Sequence, residues 1–150
     1  MWKDNLMEKA CGCGGDMTIH MHTLVYNTKI KITDVPVYTC ESCSRYEPLP
    51  VIKPALGELV QQLGIEGIAG SKVSLADGSE WAFVLKETFS KFSGESLSEL
   101  EEEIRKTVQS RIDLLLDIYR FAGNSGDGEW MRETGERLSQ LTLRSTQSVK

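Results

Sequence analysis

Four cysteines carry the chemistry open to this chain. They are the only ones in 150 residues, and they stand as two close pairs, Cys11-Gly12-Cys13-Gly14-Gly15 and Cys40-Glu41-Ser42-Cys43. The residues around each pair favour a tight turn. The stretch between the pairs suits a β-hairpin that returns the second turn to the first. Two thiolates from each turn, about 2.3 Å from one ion, make a tetrahedral Cys₄ zinc site. Such a site leaves no coordination position open, so the zinc it holds is structural rather than catalytic.

Other uses of paired cysteines fit less well. Disulfides need an oxidising compartment, and Met1–Ala10 is a mixed-charge stretch without the apolar segment of a secretory signal. A Cys-x-Cys pair bridged within itself closes a small, strained ring. Redox catalysis uses one Cys-x-x-Cys at a helix start, not two separated pairs. Reduced, paired thiols place the chain in the cytoplasm. His20 and His22 lie two apart and so share a strand face. They could extend the ligand set or form a second site, but with four thiols at hand the simpler reading is two solvent-facing strand residues.

The pattern resembles a known family. Cys11-Gly12-Cys13-Gly14-Gly15-Asp16-Met17, followed by Ile32–Cys43 with its Val35-Pro36 and Tyr38-Thr39-Cys40-Glu41-Ser42-Cys43, is similar to the YgiT-type zinc finger. That finger is the N-terminal domain of the MqsA class of bacterial antitoxins. The resemblance covers about residues 9–50, and it implies zinc ligands at Cys11, Cys13, Cys40 and Cys43. Two positions depart from the family pattern: the first pair is Cys-x-Cys where Cys-x-x-Cys is usual, and Ser44 stands where glycine often follows the second pair. Beyond residue 50 nothing resembles the helix-turn-helix of those antitoxins.

Composition bounds the rest. The chain is 40% hydrophobic and 26% charged, which suits one or two small globular domains. A module of roughly 45 residues is too small to stand on its apolar core alone, so a metal clip has a physical purpose there. The net charge is −5, and residues 1–50 hold five Lys/Arg against six Asp/Glu. No basic surface for a phosphate backbone follows from that balance. Among Lys9, Lys29, Lys31 and Arg45 are candidates to offset the formal −2 of a zinc ion with four thiolates. No apolar run is long enough to span a membrane.

The elements that must position the site come next. Met1–Ala10 is expected as a short helix, Met17–Tyr26 and Lys29–Val37 as strands joined at Asn27-Thr28, with Pro36 near a strand edge or end. Glu47-Pro48-Leu49-Pro50 reads as a stiff link between a zinc-finger domain over residues 1–50 and a helical domain over residues 51–150. Pro54 opens a helix that Gly64 ends, and Gly67 and Gly70 bracket a loop. Lys72–Leu75 is a short strand. Ser79 caps a helix bearing Trp81, Val84, Leu85, Thr88, Phe89 and Phe92, although Trp81, Phe83 and Leu85 also alternate as in a hairpin.

Ser96-Leu97-Ser98-Glu99 is a capping box for a helix from Leu97 to about Ala122, ended by Gly123. Its apolar stripe is Leu97, Leu100, Ile104, Val108, Leu115, Tyr119 and Ala122. Asp127 caps a last helix, about Gly128–Leu143, with Trp130, Met131, Thr134, Leu138 and Leu141 for burial, and the two helices form an antiparallel hairpin. The fold class is therefore α+β: a small β zinc-finger module, then a mainly helical domain ending in a helix hairpin.

No phosphate loop, Ser/His/Asp arrangement or paired-carboxylate motif stands out, so no enzymatic activity is expected. The resulting expectation is a zinc-binding bacterial regulatory or adaptor protein that acts by binding another protein. The long apolar stripe could also serve a homodimer. The alternative is a DNA- or RNA-binding regulator, as the antitoxin kinship implies.

Overall fold

A computed structural model of the chain describes residues 8–26, 30–66, 71–94 and 96–147. The expectations for Met1–Met7, for the Asn27-Thr28 turn and for the Gly67 and Gly70 loop lie outside those residues. The fold is α+β, and the chain divides into two compact units, Asn5–Lys86 and a second that includes Glu87–Lys150. The Pro48–Pro50 stretch lies inside the first.

The first unit is built on strands β1 (Glu8–Ala10), β2 (Asp16–Tyr26), β3 (Ile30–Cys40), β4 (Tyr46–Pro48) and β5 (Lys72–Ser74) in one sheet. The strands β1 to β4 follow each other antiparallel, and β5 joins β3 in parallel. Both β4 and β5 pair with β3, β4 along residues 37–39 and β5 along 31–33. Strand β3 is thus the centre of the sheet, and Val35, Pro36, Val37 and Tyr38 form a continuous buried run. A strand covered on both faces loses the in-and-out alternation of a half-exposed one, and this run has lost it.

Pro36 therefore sits inside a central strand, not near an edge or end. The Pro36 carbonyl accepts the Leu49 N–H at 3.2 Å. Its nitrogen, which carries no hydrogen, faces the gap between the paired stretches of β5 and β4, where no ladder bond is required. In the same gap β3 bulges. The register with β2 slips between His22 and Leu24, and Asp34 takes a left-handed φ of 59°. The Asp34 carboxylate there accepts hydroxyl hydrogen bonds from Ser74 and Thr33 and faces the Lys86 ammonium at 3.5 Å. These contacts hold the bulge to β5 and to the helix that follows.

The short helix expected over Met1–Ala10 is not formed at its described end, because Glu8–Ala10 is β1. The reason is local: the Cys11 N–H donates to the Gly15 carbonyl at 2.9 Å, so the first cysteine loop is itself a hairpin turn and must be entered from a strand. Lys9 on β1 lies over the Tyr38 ring and bonds Glu47 of β4. Helix α1 (Lys53–Glu66) follows a 3₁₀ turn at Pro50–Ile52 and continues past Gly64, where a stop was expected. Gly64 is not in the left-handed region that ends a helix; a side chain there would meet the Tyr26 hydroxyl at 3.1 Å.

Helix α2 (Glu80–Lys91) crosses from one unit to the other. The Ser79 hydroxyl accepts the Ala82 N–H at 3.1 Å, and Trp81, Val84, Leu85 and Thr88 are all buried. Burial at i, i+3, i+4 and i+7 is helical, so the hairpin alternative for this stretch falls.

The second unit contains α3 (Leu97–Asn124) and α4 (Gly128–Gln147). The Ser96–Glu99 capping box is present in both directions, and Asp127 caps α4 through the Trp130 N–H at 3.0 Å. Leu100, Ile104, Val108, Leu115 and Ala122 are buried along α3, with Thr134 and Leu141 on α4. Gly135 lies against Tyr119 and Gly123 against Met131, which makes the helices antiparallel neighbours. Helix α3 passes Gly123 by one residue, and the reversal falls at Gly126, whose φ is 75°. Of the residues expected in this core, Tyr119, Met131 and Leu138 are half-buried and two are exposed. Leu97 is exposed, and Trp130 stands at the reversal in an edge-to-face contact with exposed Phe121.

Candidate metal centre

The two cysteine pairs occupy two hairpin loops. The first joins β1 to β2. The second joins β3 to β4, where the Cys40 N–H donates to the Arg45 carbonyl at 2.9 Å and the Ser44 N–H to the Cys40 carbonyl at 3.0 Å. Met17 and Cys40 are direct partners across β2 and β3, so the loops emerge side by side at one end of the sheet. The sequence suggests one hairpin between the pairs; the fold adds one on either side of it.

All four sulfurs come together. Every pair among Cys11, Cys13, Cys40 and Cys43 has its sulfur atoms within 4.8 Å. The Cys13 and Cys40 sulfurs are 3.5 Å apart, and those of Cys11 and Cys43 are 3.6 Å apart. A disulfide needs about 2.05 Å. The edge of a tetrahedron with metal–sulfur bonds of 2.3 Å is about 3.8 Å. The spacing therefore fits four thiolates around one ion and does not fit S–S bonds. Cys11 and Cys40 are buried, while Cys13 and Cys43 are exposed.

Backbone amides of the loops aim at the sulfurs. The amide of Cys43, then that of Ser42, pulls the Cys40 thiol down to about 6 against the opposing effect of burial. The Gly15 amide pulls at Cys13 in the same way, but the neighbouring sulfurs of Cys40, Cys11 and Cys43 outweigh it and raise that thiol to about 12. Four sulfurs this close resist sharing four negative charges among themselves. A divalent cation is the partner that such a donor set accommodates.

Glycine is required in the first loop for two different reasons. Gly14 has a φ of 97°, which an L side chain rarely adopts. At Gly15 the limit is space: a Cβ would lie 2.7 Å from the Ser42 Oγ, 3.0 Å from the Ser42 Cβ and 3.1 Å from the Cys40 sulfur. In the second loop Ser44 adopts a φ of 62° at the position the resemblance marks as often glycine.

The proposed charge partners separate. Arg45 reaches the first loop, with its Nη1 3.5 Å from where a Gly12 Cβ would stand. Lys9 is engaged with Glu47 and Tyr38 instead. Lys29 lies outside the described residues. The sulfur cluster contains neither histidine: His20 contacts the Thr18 hydroxyl at 3.1 Å, and His22 packs on Tyr46. The Gly15–Ser42 contact was missed in the sequence, where the only signal was the doubled glycine.

Among the described residues no helix is long and apolar enough to cross a membrane. No protein-family model, curated protein or solved structure matches the chain.

Proposed function

We propose that Cys11, Cys13, Cys40 and Cys43 bind one zinc ion that serves as a structural clip for the β-hairpin head, and that the protein acts as a regulatory or adaptor protein by associating with another protein. The observation that carries the metal reading is the convergence of four sulfurs from two adjoining loops. Thiolates select zinc over the hard cations calcium and magnesium, and a set of four leaves no position for a reacting water. A zinc-scaffolded head of this kind agrees with the YgiT-type resemblance.

Association is favoured over catalysis by the surface of the helix pair. Phe121 and Trp130 stand 61% and 38% exposed, 5.9 Å apart, and Leu114 is also exposed on α3. Exposed aromatics are enriched where proteins meet, and the net charge of −5 opposes a phosphate backbone. The test compares the full chain with a Phe121→Ser, Trp130→Ser variant as bait in cell extract. A partner held by the first and lost by the second supports the reading. Equal capture, or salt-sensitive binding to duplex in a gel-shift assay, contradicts it.

A further inference from the structure

Two close sulfur pairs cross between the loops. Cys13 lies 3.5 Å from Cys40, and Cys11 lies 3.6 Å from Cys43. Each of these pairs joins one exposed thiol to one buried thiol: Cys13 to Cys40, and Cys43 to Cys11. The exposed member can meet an oxidant from solution, and its buried partner is already within about 1.5 Å of disulfide distance. A link between Cys11 and Cys13 would close a strained ring.

We propose that the cluster is a reversible peroxide switch that closes as Cys13–Cys40 and Cys11–Cys43 disulfides. This rests on the reading of the cluster as a zinc site. The Cys13 thiolate attacks one oxygen of hydrogen peroxide; the S–O bond forms, the O–O bond breaks, and the departing hydroxide takes a proton to become water. The Cys40 thiolate then attacks the Cys13 sulfur. The S–S bond forms as the S–O bond breaks, and a second hydroxide leaves and is protonated to water. Cys43 and Cys11 repeat the sequence with a second peroxide. Four thiolates thus give up four electrons to two peroxides, and none is left to hold the ion. A dithiol reductant reverses both links by exchange.

The test treats the zinc-loaded full chain with hydrogen peroxide. A colorimetric chelator follows zinc, and peptide mass spectrometry without reduction, with cleavage at Glu41 and fragmentation between Cys11 and Cys13, identifies the links. The expected result is one zinc released per chain with the two cross-loop disulfides, and recovery of bound zinc after dithiothreitol. Links between Cys40 and Cys43 or in the opposite crossing, irreversible sulfinic acids, or unchanged thiols would overturn it. Zinc content before peroxide separates the failures. A chain that holds no zinc overturns the metal reading together with the switch, whereas a loaded chain with other products overturns the switch alone.

Discussion

Gly15→Ala changes one hydrogen to a methyl group at the point where the two cysteine loops touch. Backbone strain is not the issue, since Gly15 lies outside the left-handed region. The new methyl would sit 2.7 Å from the Ser42 Oγ and 3.0 Å from its Cβ. Turning the hydroxyl away does not clear the second contact, so the loops must part by several tenths of an ångström. The 3.1 Å approach to the Cys40 sulfur moves a ligand as they do. Overpacking of this kind costs about 1–3 kcal/mol. At about 1.4 kcal/mol for each tenfold, zinc affinity falls by roughly 5- to 150-fold. Competition with a chelating dye measures this in the single variant, in Ser42→Gly and in the double variant. The Ser42→Gly background removes two of the three contacts, so the alanine penalty there should shrink by more than half. An alanine variant that binds zinc as tightly as the parent, or a penalty unchanged by Ser42→Gly, would refute the contact as the source of the effect.

Other predictions follow from the same geometry. Ser44→Gly relieves a left-handed serine and should raise stability by about 1 kcal/mol, read as a higher urea midpoint in the zinc-loaded protein. Gly14→Ala should lower it by about 1–2 kcal/mol at a site with open space, where only the backbone can object. Asp34 is opposed by burial but held below the usual carboxylate range by Ser74, Lys86 and Thr33. Its contribution is fully present above the unfolded carboxyl value and is lost as pH falls through the lower folded one. Asp34→Asn keeps a residue that tolerates the left-handed backbone but removes that titration. The difference in urea midpoint between parent and variant should therefore narrow as pH falls below about 4, and a constant difference would count against the carboxylate's role.

What the sequence disclosed depended on how far apart the cooperating residues lie. The cysteines declared themselves by type and spacing. The box at Ser96 and Glu99 is a three-residue relation, and both its bonds form as read. The heptad-like stripe of α3 likewise located Leu100, Ile104 and Val108 in the core. Strand β5 is three residues long and pairs with β3 some 40 positions earlier, at a distance no local pattern reports. The first loop being a hairpin turn depended on bonds among Cys11, Gly14 and Gly15, which made a strand of the described end of an expected helix. Trp130 was misplaced because apolar character says nothing of which side of a chain reversal a ring takes.

The proposed zinc ion, shared by four thiolates, holds the β head together. X-ray absorption spectroscopy at the zinc edge, on purified full chain of known metal content, tests it most directly. The expected result is one zinc per chain with four sulfurs near 2.3 Å, and with Cys40→Ser the loss of bound zinc and of head structure while the helical circular dichroism signal persists. A metal-free chain, a shell of nitrogen and oxygen ligands, or undiminished zinc binding in Cys40→Ser would contradict it.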